Sequence, residues 1–374
     1  MQRNLLAIAA SSLEVRYPDL DSDPLLLNLD NGSLDLRSGG LRPHRPEDLI
    51  TKIAPLRFSE AAQCPRFLSF LDQIFAKDQE LIRFIQRALG YSLTGLVTEQ
   101  VFFLCYGTGA NGKSTLMELI AGALGDYALT APPGLLLAKK HEGHPTEIAD
   151  LFAARFVHTS EVMADSKFDE QRIKSFTGGD TLKARRMRED FWSFKPTHKI
   201  WLSTNHRPEV QDSSHGFWRR VRMVPFTVTI PEEERDQHLL EKLRAELPGI
   251  LNWLVAGCLQ WQSEGLGTCR AVEVATSAYR AESDTLAEFL EDECECAAFH
   301  EVQSSVLYKA YLTWSEARKQ RPDSLKVFGE RIRDLGYRTR KASAIFYIGL
   351  RVKPESERMT SGHDSCRARF EAGN

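Results

Sequence analysis

No apolar run in these 374 residues approaches the roughly 20 residues that cross a bilayer. Leu5 to Ala10 is apolar but short, and Glu14 soon follows. Neither a signal peptide nor a membrane partner is expected, and the expected location is the cytoplasm. Cysteine is sparse: seven are scattered along the chain, and only Cys294 and Cys296 fall close together, in a C-x-C spacing with no second pair at zinc-ligand spacing. Free thiols in a reducing compartment are the expectation. A strong net charge is missing as well. With 48 Lys and Arg against 51 Asp and Glu, the balance of −3 does not advertise a nucleic-acid binder. That mean hides an asymmetry, because Glu282 to Glu295 carry seven acids and no base, whereas Arg318 to Lys341 carry nine bases against Asp323, Glu330 and Asp334. A basic face is therefore expected near the C-terminal end.

What is present is the composition of a soluble globular protein, 42% hydrophobic and 26% charged, with length for two or three domains. Through Arg57, short apolar pieces such as Leu25-Leu26-Leu27 are punctuated by Asn31-Gly32 and Gly39-Gly40, which predicts hairpins and turns. From Pro65 the period becomes helical. Phe67, Leu71, Ile74 and Phe75 share one face, and a second run through Leu81, Phe84, Ile85 and Ala88 is predicted to stop at Gly90. Val101 to Tyr106 reads as a strand covered on both faces. Strand-like runs at Arg155 to Thr159 and Lys199 to Thr204 alternate with helical stretches, so a parallel sheet with crossover helices is predicted. Arg235 to Trp261 is helical, with Pro248 dividing it in two.

Past Ala271, Ser305 and Ser324 are placed to cap two helices, the second closed by Gly336, and the strand-like Ile345 to Leu350 follows Arg338, Arg340 and Lys341. Helix, helix and basic hairpin outline a winged helix-turn-helix. The polar tail has little to bury and is predicted to be disordered. The expected division is a hairpin and helical domain over 1–95, an α/β domain with a helical extension over 96–270, a winged-helix-like domain over 271–353 and a tail over 354–374.

The most specific motif is Gly107-Thr108-Gly109-Ala110-Asn111-Gly112-Lys113-Ser114, which matches G-x-x-x-x-G-K-[ST] between the strand-like run and the helical Leu116 to Ile120 and which, with Thr115, is the expected nucleotide-binding set. Glycines let backbone amides approach phosphates, and the following helix points its positive end at them. Lys113 is expected to reach the β- and γ-phosphates of ATP, and Ser114 to ligate Mg2+. Phosphoryl transfer also needs a carboxylate near metal and water, a polar residue sensing the γ-phosphate, and usually an arginine offsetting transition-state charge. Glu161, ending the strand-like Phe156 to Glu161, is the candidate base, and Asn205, ending the strand-like Lys199 to Thr204, the candidate sensor.

The stretch from about Asn28 to Leu350 resembles the helicase part of phage and poxvirus primase-helicases, members of helicase superfamily 3 within the AAA+ ATPases. The pieces that match in order are Cys64-Pro65-Arg66-Phe67, Leu89-Gly90-Tyr91, the phosphate loop, Ser160-Glu161, Gly178-Gly179-Asp180, Lys199 to Asn205 and Trp218-Arg219-Arg220. The resemblance implies a homo-oligomeric, hexameric ring with ATP between subunits, Arg219 as the finger reaching a neighbour's γ-phosphate with Arg220 as the alternative, and movement 3′ to 5′. It also implies a channel hairpin between Asp180 and Trp192, where Lys183, Arg185, Arg186 and Arg188 meet the phosphates of single-stranded or forked DNA without reading sequence. Lys326, Arg331, Arg333, Arg338, Arg340 and Lys341 would give a second DNA contact. In one departure, Ser160 stands where many members carry the first of two adjacent acids. About 60 residues precede the helical part, too few for a primase fold, so primer synthesis is not expected of this chain, and whether a primase acts as a separate partner stays open. Two other readings stay open: a AAA+ loader or remodeller that never separates strands, and an origin-binding module that uses nucleotide as a structural switch.

Overall fold

The computed structural model describes residues 19–138, 145–160, 166–210, 215–318 and 322–354. They form two units, one through Arg280 and one from Ala281 onward. Residues 271–280 therefore belong with the first unit. Residues 355–374, most of the predicted tail, lie outside the described residues.

The first unit opens with the antiparallel meander β1 (Leu26–Leu29), β2 (Gly32–Asp35) and β3 (Gly40–Arg42), where the turn signals predict hairpins. Helices α1 (Pro65–Ile74) and α2 (Gln79–Ser92) follow, and Asp78 caps α2 by accepting from the Glu80 and Leu81 amides at 3.0 Å each. The predicted stop at Gly90 is corrected, since α2 runs on to Ser92. A Cβ on Gly90 would come within 2.2 Å of the Cys258 amide nitrogen, and one on Gly257 within 2.1 Å of the Gln86 carbonyl oxygen. Glycine is required there because two helix backbones touch.

The α/β core comprises β4 (Phe102–Tyr106), α3 (Lys113–Leu124), β5 (Ala128–Thr130), α4 (Pro145–Ala149), β6 (Phe156–Ser160), α5 (Glu170–Thr177), the hairpin β7 (Leu182–Ala184) and β8 (Trp192–Phe194), β9 (Lys199–Thr204), α6 (His215–Trp218) and β10 (Val221–Pro225). It continues into α7 (Leu239–Arg244), α8 (Leu247–Glu264) and α9 (Arg270–Glu282), and Pro248 in the first turn of α8 separates it from α7 as predicted. Strands pair in the order β10, β4, β9, β6, β5, and every pairing is parallel. The fold is thus mixed α/β around a five-stranded parallel sheet.

Phe103 and Cys105 of β4 enter one apolar layer, Phe102 and Leu104 the other. Burial on both faces is why this strand reads as an unbroken apolar run. The first layer joins Phe103, Phe156 and Trp201 of the sheet to Leu29, Phe67 and Phe84 of the leading segment, so that segment shares its core with the sheet. Two buried cations tie the same parts together. Arg155 donates to the carbonyls of Leu93 at 2.8 Å and Leu26 at 2.7 Å, and Lys199 to those of Leu96 at 3.2 Å, Thr197 at 3.1 Å and Thr94. Burial lowers the pKa of both.

The second unit contains α10 (Thr285–Glu293), β11 (Cys294–Gln303), α11 (Ser304–Ala317), α12 (Leu325–Asp334), β12 (Thr339–Lys341) and β13 (Ile345–Val352). Strands β11, β13 and β12 form an antiparallel sheet over a core that includes Leu290, Tyr311, Phe328 and Tyr347. Ser324 caps α12, accepting from the Val327 amide at 3.4 Å. Ser305 does not cap α11, which starts one residue earlier, behind Gln303. Cys64, Cys105, Cys258, Cys269 and Cys294 are free and buried. Among the described residues, no helix is long and apolar enough to cross a membrane.

Candidate functional site

Strand β4 lies between β9 and β10, and the chain leaving it passes through α3 to β5 at the far edge of the sheet. The carboxyl end of β4 is therefore a switch point, where a parallel sheet opens a crevice. The glycine-rich loop starts there. A Cβ on Gly107 would meet the Phe226 carbonyl oxygen at 2.3 Å, and one on Gly112 would meet Ile74 Cγ2 at 2.4 Å. Gly112 also holds φ at +78°, which favours glycine, and it leads into α3 without a side-chain cap. Such a helix start presents backbone amides and the positive end of its dipole.

Lys113 opens α3 and is 5% exposed. Its Nζ donates to the Gly107 carbonyl at 2.6 Å, to Asn111 Oδ1 at 3.1 Å and to Asn205 Oδ1 at 3.1 Å. Burial holds the ammonium below the usual lysine range. Asn205 stands just past β9, whose Thr204 is in register with Tyr106, so parallel pairing brings together two residues 92 apart in sequence. Thr108, Ala110 and Ser114 are exposed at the same end, with Gly109 and Thr115 partly so. In β6, His158 is within 3.2 Å of Ser203 Oγ, and burial lowers its pKa to about 4, which leaves the imidazole neutral at pH 7. Glu161 lies outside the described residues; β6 before it ends at Ser160, in register with Ser203.

A cavity of about 700 Å³ adjoins the loop at Gly107 and Thr108, walled by Tyr106, Arg207, Phe226, Val274 and Ala278 among others. The Arg207 guanidinium lies 4.5 Å from the centroid of the Tyr106 ring. Sequence reasoning missed this wall. Its one trace is the helical spacing of Ala271, Val274, Ala275 and Ala278 on α9. What that face meets depends on β10 and the loop, which only the folded chain brings together.

Arg219 and Arg220 differ sharply in setting. Arg220 is 8% exposed, donates from Nε to Thr177 Oγ1 at 3.1 Å and from Nη1 to the Gly216 carbonyl, and has its pKa lowered by burial. It is committed to joining α5 and α6. Arg219 is exposed, and its guanidinium reaches Gln100 Oε1 at 2.9 Å. The Arg220 carbonyl accepts from the Phe102 amide at 2.9 Å, which places both arginines at the amino end of β4. The glycine loop leaves the opposite end, across roughly 13 Å of strand.

The hairpin expected between Asp180 and Trp192 is present as β7 and β8, with Lys183 opposite Ser193. Lys183, Arg186 and Arg188 are exposed and Arg185 is partly so. In the second unit Lys326, Arg333, Arg338 and Lys341 are exposed. Arg331 is not available as expected. It pairs with Asp284 and with Asp323 at 2.6 Å each, and its side chain is 13% exposed. Arg340 pairs with Glu301 at 2.6 Å. Arg331→Ala should lower the stability of the second unit by about 2 kcal/mol, since it strands partly buried carboxylates that charge-assisted hydrogen bonds now satisfy. A urea midpoint equal to the parent's would return Arg331 to the surface set.

Three family models match consecutive parts of the chain: D5 N terminal like over residues 2–76, a family of unknown function (DUF5906) over 105–220, and Poxvirus D5 protein-like over 281–354. The third begins at the first residue of the second unit. Among curated relatives, "Putative helicase L207/L206" of Acanthamoeba polyphaga mimivirus is 28% identical over 296 residues, covering 73% of this chain and 31% of the relative. "Putative helicase 022R" of Frog virus 3 is 24% identical, covering 80% of this chain and 39% of the relative. "Putative primase C962R" of African swine fever virus is 25% identical, covering 80% and 34%. The chain thus spans about a third of the length of the curated relatives it matches. A solved apo structure of the NrS-1 C-terminal region (305–718) superposes with a TM-score of 0.54 at 12% identity, covering 88% of this chain and 83% of that one, so the two share a fold.

Proposed function

We propose that this chain is an ATP-driven DNA helicase motor for viral, phage or mobile-element replication, assembled as a ring with nucleotide held between subunits. One observation carries the reading. Lys113, the glycine loop and Asn205 converge at the carboxyl end of β4, while the exposed Arg219 stands at its amino end. An arginine so far from its own loop can complete a nucleotide site only on a neighbour, which favours the AAA+ superfamily 3 arrangement.

The loop suits a triphosphate: Gly107 and Gly112 let it pack without a Cβ against Phe226 and Ile74, α3 starts without a side-chain cap, and a buried ammonium lies at that start. In this reading Lys113 trades loop oxygens for β- and γ-phosphate oxygens, and Asn205 orients the γ-phosphate. Ser114 would hold Mg2+, which offsets phosphate charge when bound. The cavity beside Gly107 would take the nucleoside, with Arg207 and Tyr106 at its wall. Lys183, Arg185, Arg186 and Arg188 grip strand phosphates from the hairpin. The second unit, read as a winged helix, adds contacts through Lys326, Arg333, Arg338 and Lys341.

The reading is tested with forks that carry a single free tail, combined with size measurement and with ATP turnover measured with and without single-stranded DNA. The expected result is a hexameric assembly, DNA-stimulated turnover and unwinding from a 3′ tail. Turnover indifferent to DNA, with no strand separation, would favour a loader or remodeller. Glu161→Gln should retain ATP binding while slowing hydrolysis by about 100-fold or more, because an amide orients water but cannot take its proton. Parent-like turnover in that variant would move the base to Asp169 or Glu170.

A further inference from the structure

Phe191, in the connection between β7 and β8, has no part in the reading above. It is 50% exposed, and Met187 in the same connection is 70% exposed. The hairpin does not need it. Strand pairing runs Leu182 to Phe194, Lys183 to Ser193 and Ala184 to Trp192, and the residues anchored in the core are Leu182, Ala184 and Phe194. Cations gather on its ring instead: Lys183 Nζ lies 4.8 Å and Arg185 Cζ 4.9 Å from the ring centroid.

A half-exposed aromatic among basic side chains is the composite by which proteins hold single strands, the ring taking a base face and the cations its phosphates. We propose that Phe191 is a base-stacking contact for single-stranded nucleic acid, with Lys183 and Arg185 neutralising the phosphates beside the stacked base. This rests on the reading of the hairpin as the strand grip and adds a contact that charge alone does not supply. Every base has a π-face, so the contact would hold any sequence, as a translocating motor requires.

The test is binding of the full-length protein to two labelled strands of equal length, one of thymidines and one of abasic sugar-phosphates, across a salt series. Phe191→Ala should weaken binding to the thymidine strand about tenfold, leave the salt slope unchanged, and leave binding to the abasic strand and DNA-free ATP turnover as in the parent. Phe191→Trp should restore thymidine binding. Arg185→Ala should weaken binding to both strands with a shallower salt slope, because fewer counterions are released. Equal weakening by Phe191→Ala on both strands, with a shallower slope, would overturn the proposal, since the ring would then only position its cations. Unchanged binding in Phe191→Ala would overturn it too. A parent that binds neither strand would instead overturn the helicase reading from which this one follows.

Discussion

The Lys113→Ala variant is expected to lose ATP hydrolysis by at least about a hundredfold, the scale on which removing one preorganised charge or donor from a transferred group slows reaction. The expectation follows from burial as much as from charge. Lys113 is held at depth by Gly107, Asn111 and Asn205, and no other cation in the described structure hydrogen-bonds to the loop residues 107–112. The fold should survive, because alanine suits the first turn of α3, and of the lost hydrogen bonds only the one to Asn205 leaves the loop. Folded protein that hydrolyses ATP near the parent rate would remove the nucleotide assignment, since no substitution in the loop is better placed to stop it.

Arg219→Ala is expected to keep ATP binding and to lose hydrolysis by about a thousandfold, the lower end of what an arginine finger supplies. The loss should be one of assembly. Mixed with Lys113→Ala, it should regain part of the parent rate, because some interfaces then combine an intact loop with an intact arginine. Arg220→Ala is the contrasting variant: removing its hydrogen bonds to Thr177 and Gly216 should lower the unfolding midpoint. No recovery at any mixing ratio, with co-assembly demonstrated, would place Arg219 outside a shared site. Recovery by Arg220→Ala in place of Arg219→Ala would reverse their roles.

Most of the strands and the glycine loop were legible in the sequence because each is a local event. A run buried on both faces needs no partner to be recognised, and a G-x-x-x-x-G-K-S loop between strand and helix declares its own backbone chemistry. The errors came where one residue type serves two purposes. Gly90 looks like a helix stop, yet glycine also lets two backbones touch, and the partner Gly257 is far along the chain. Arg331 looks like a phosphate contact until Asp284 and Asp323 fold against it.

The sequence by itself determined the alternation of strands and helices, the glycine-rich loop between strand and helix and the basic stretches, because hydrophobic period and residue type act over a few neighbouring positions. Only the tertiary structure decided which of two adjacent arginines is exposed, that Asn205 meets Lys113, that a cavity adjoins the loop, and that Phe191 stands among cations. Those depend on parallel register and on crossovers that bring distant segments side by side, and burial, which sets whether a charge binds inward or reaches out, is a property of the packed chain and not of any residue in it.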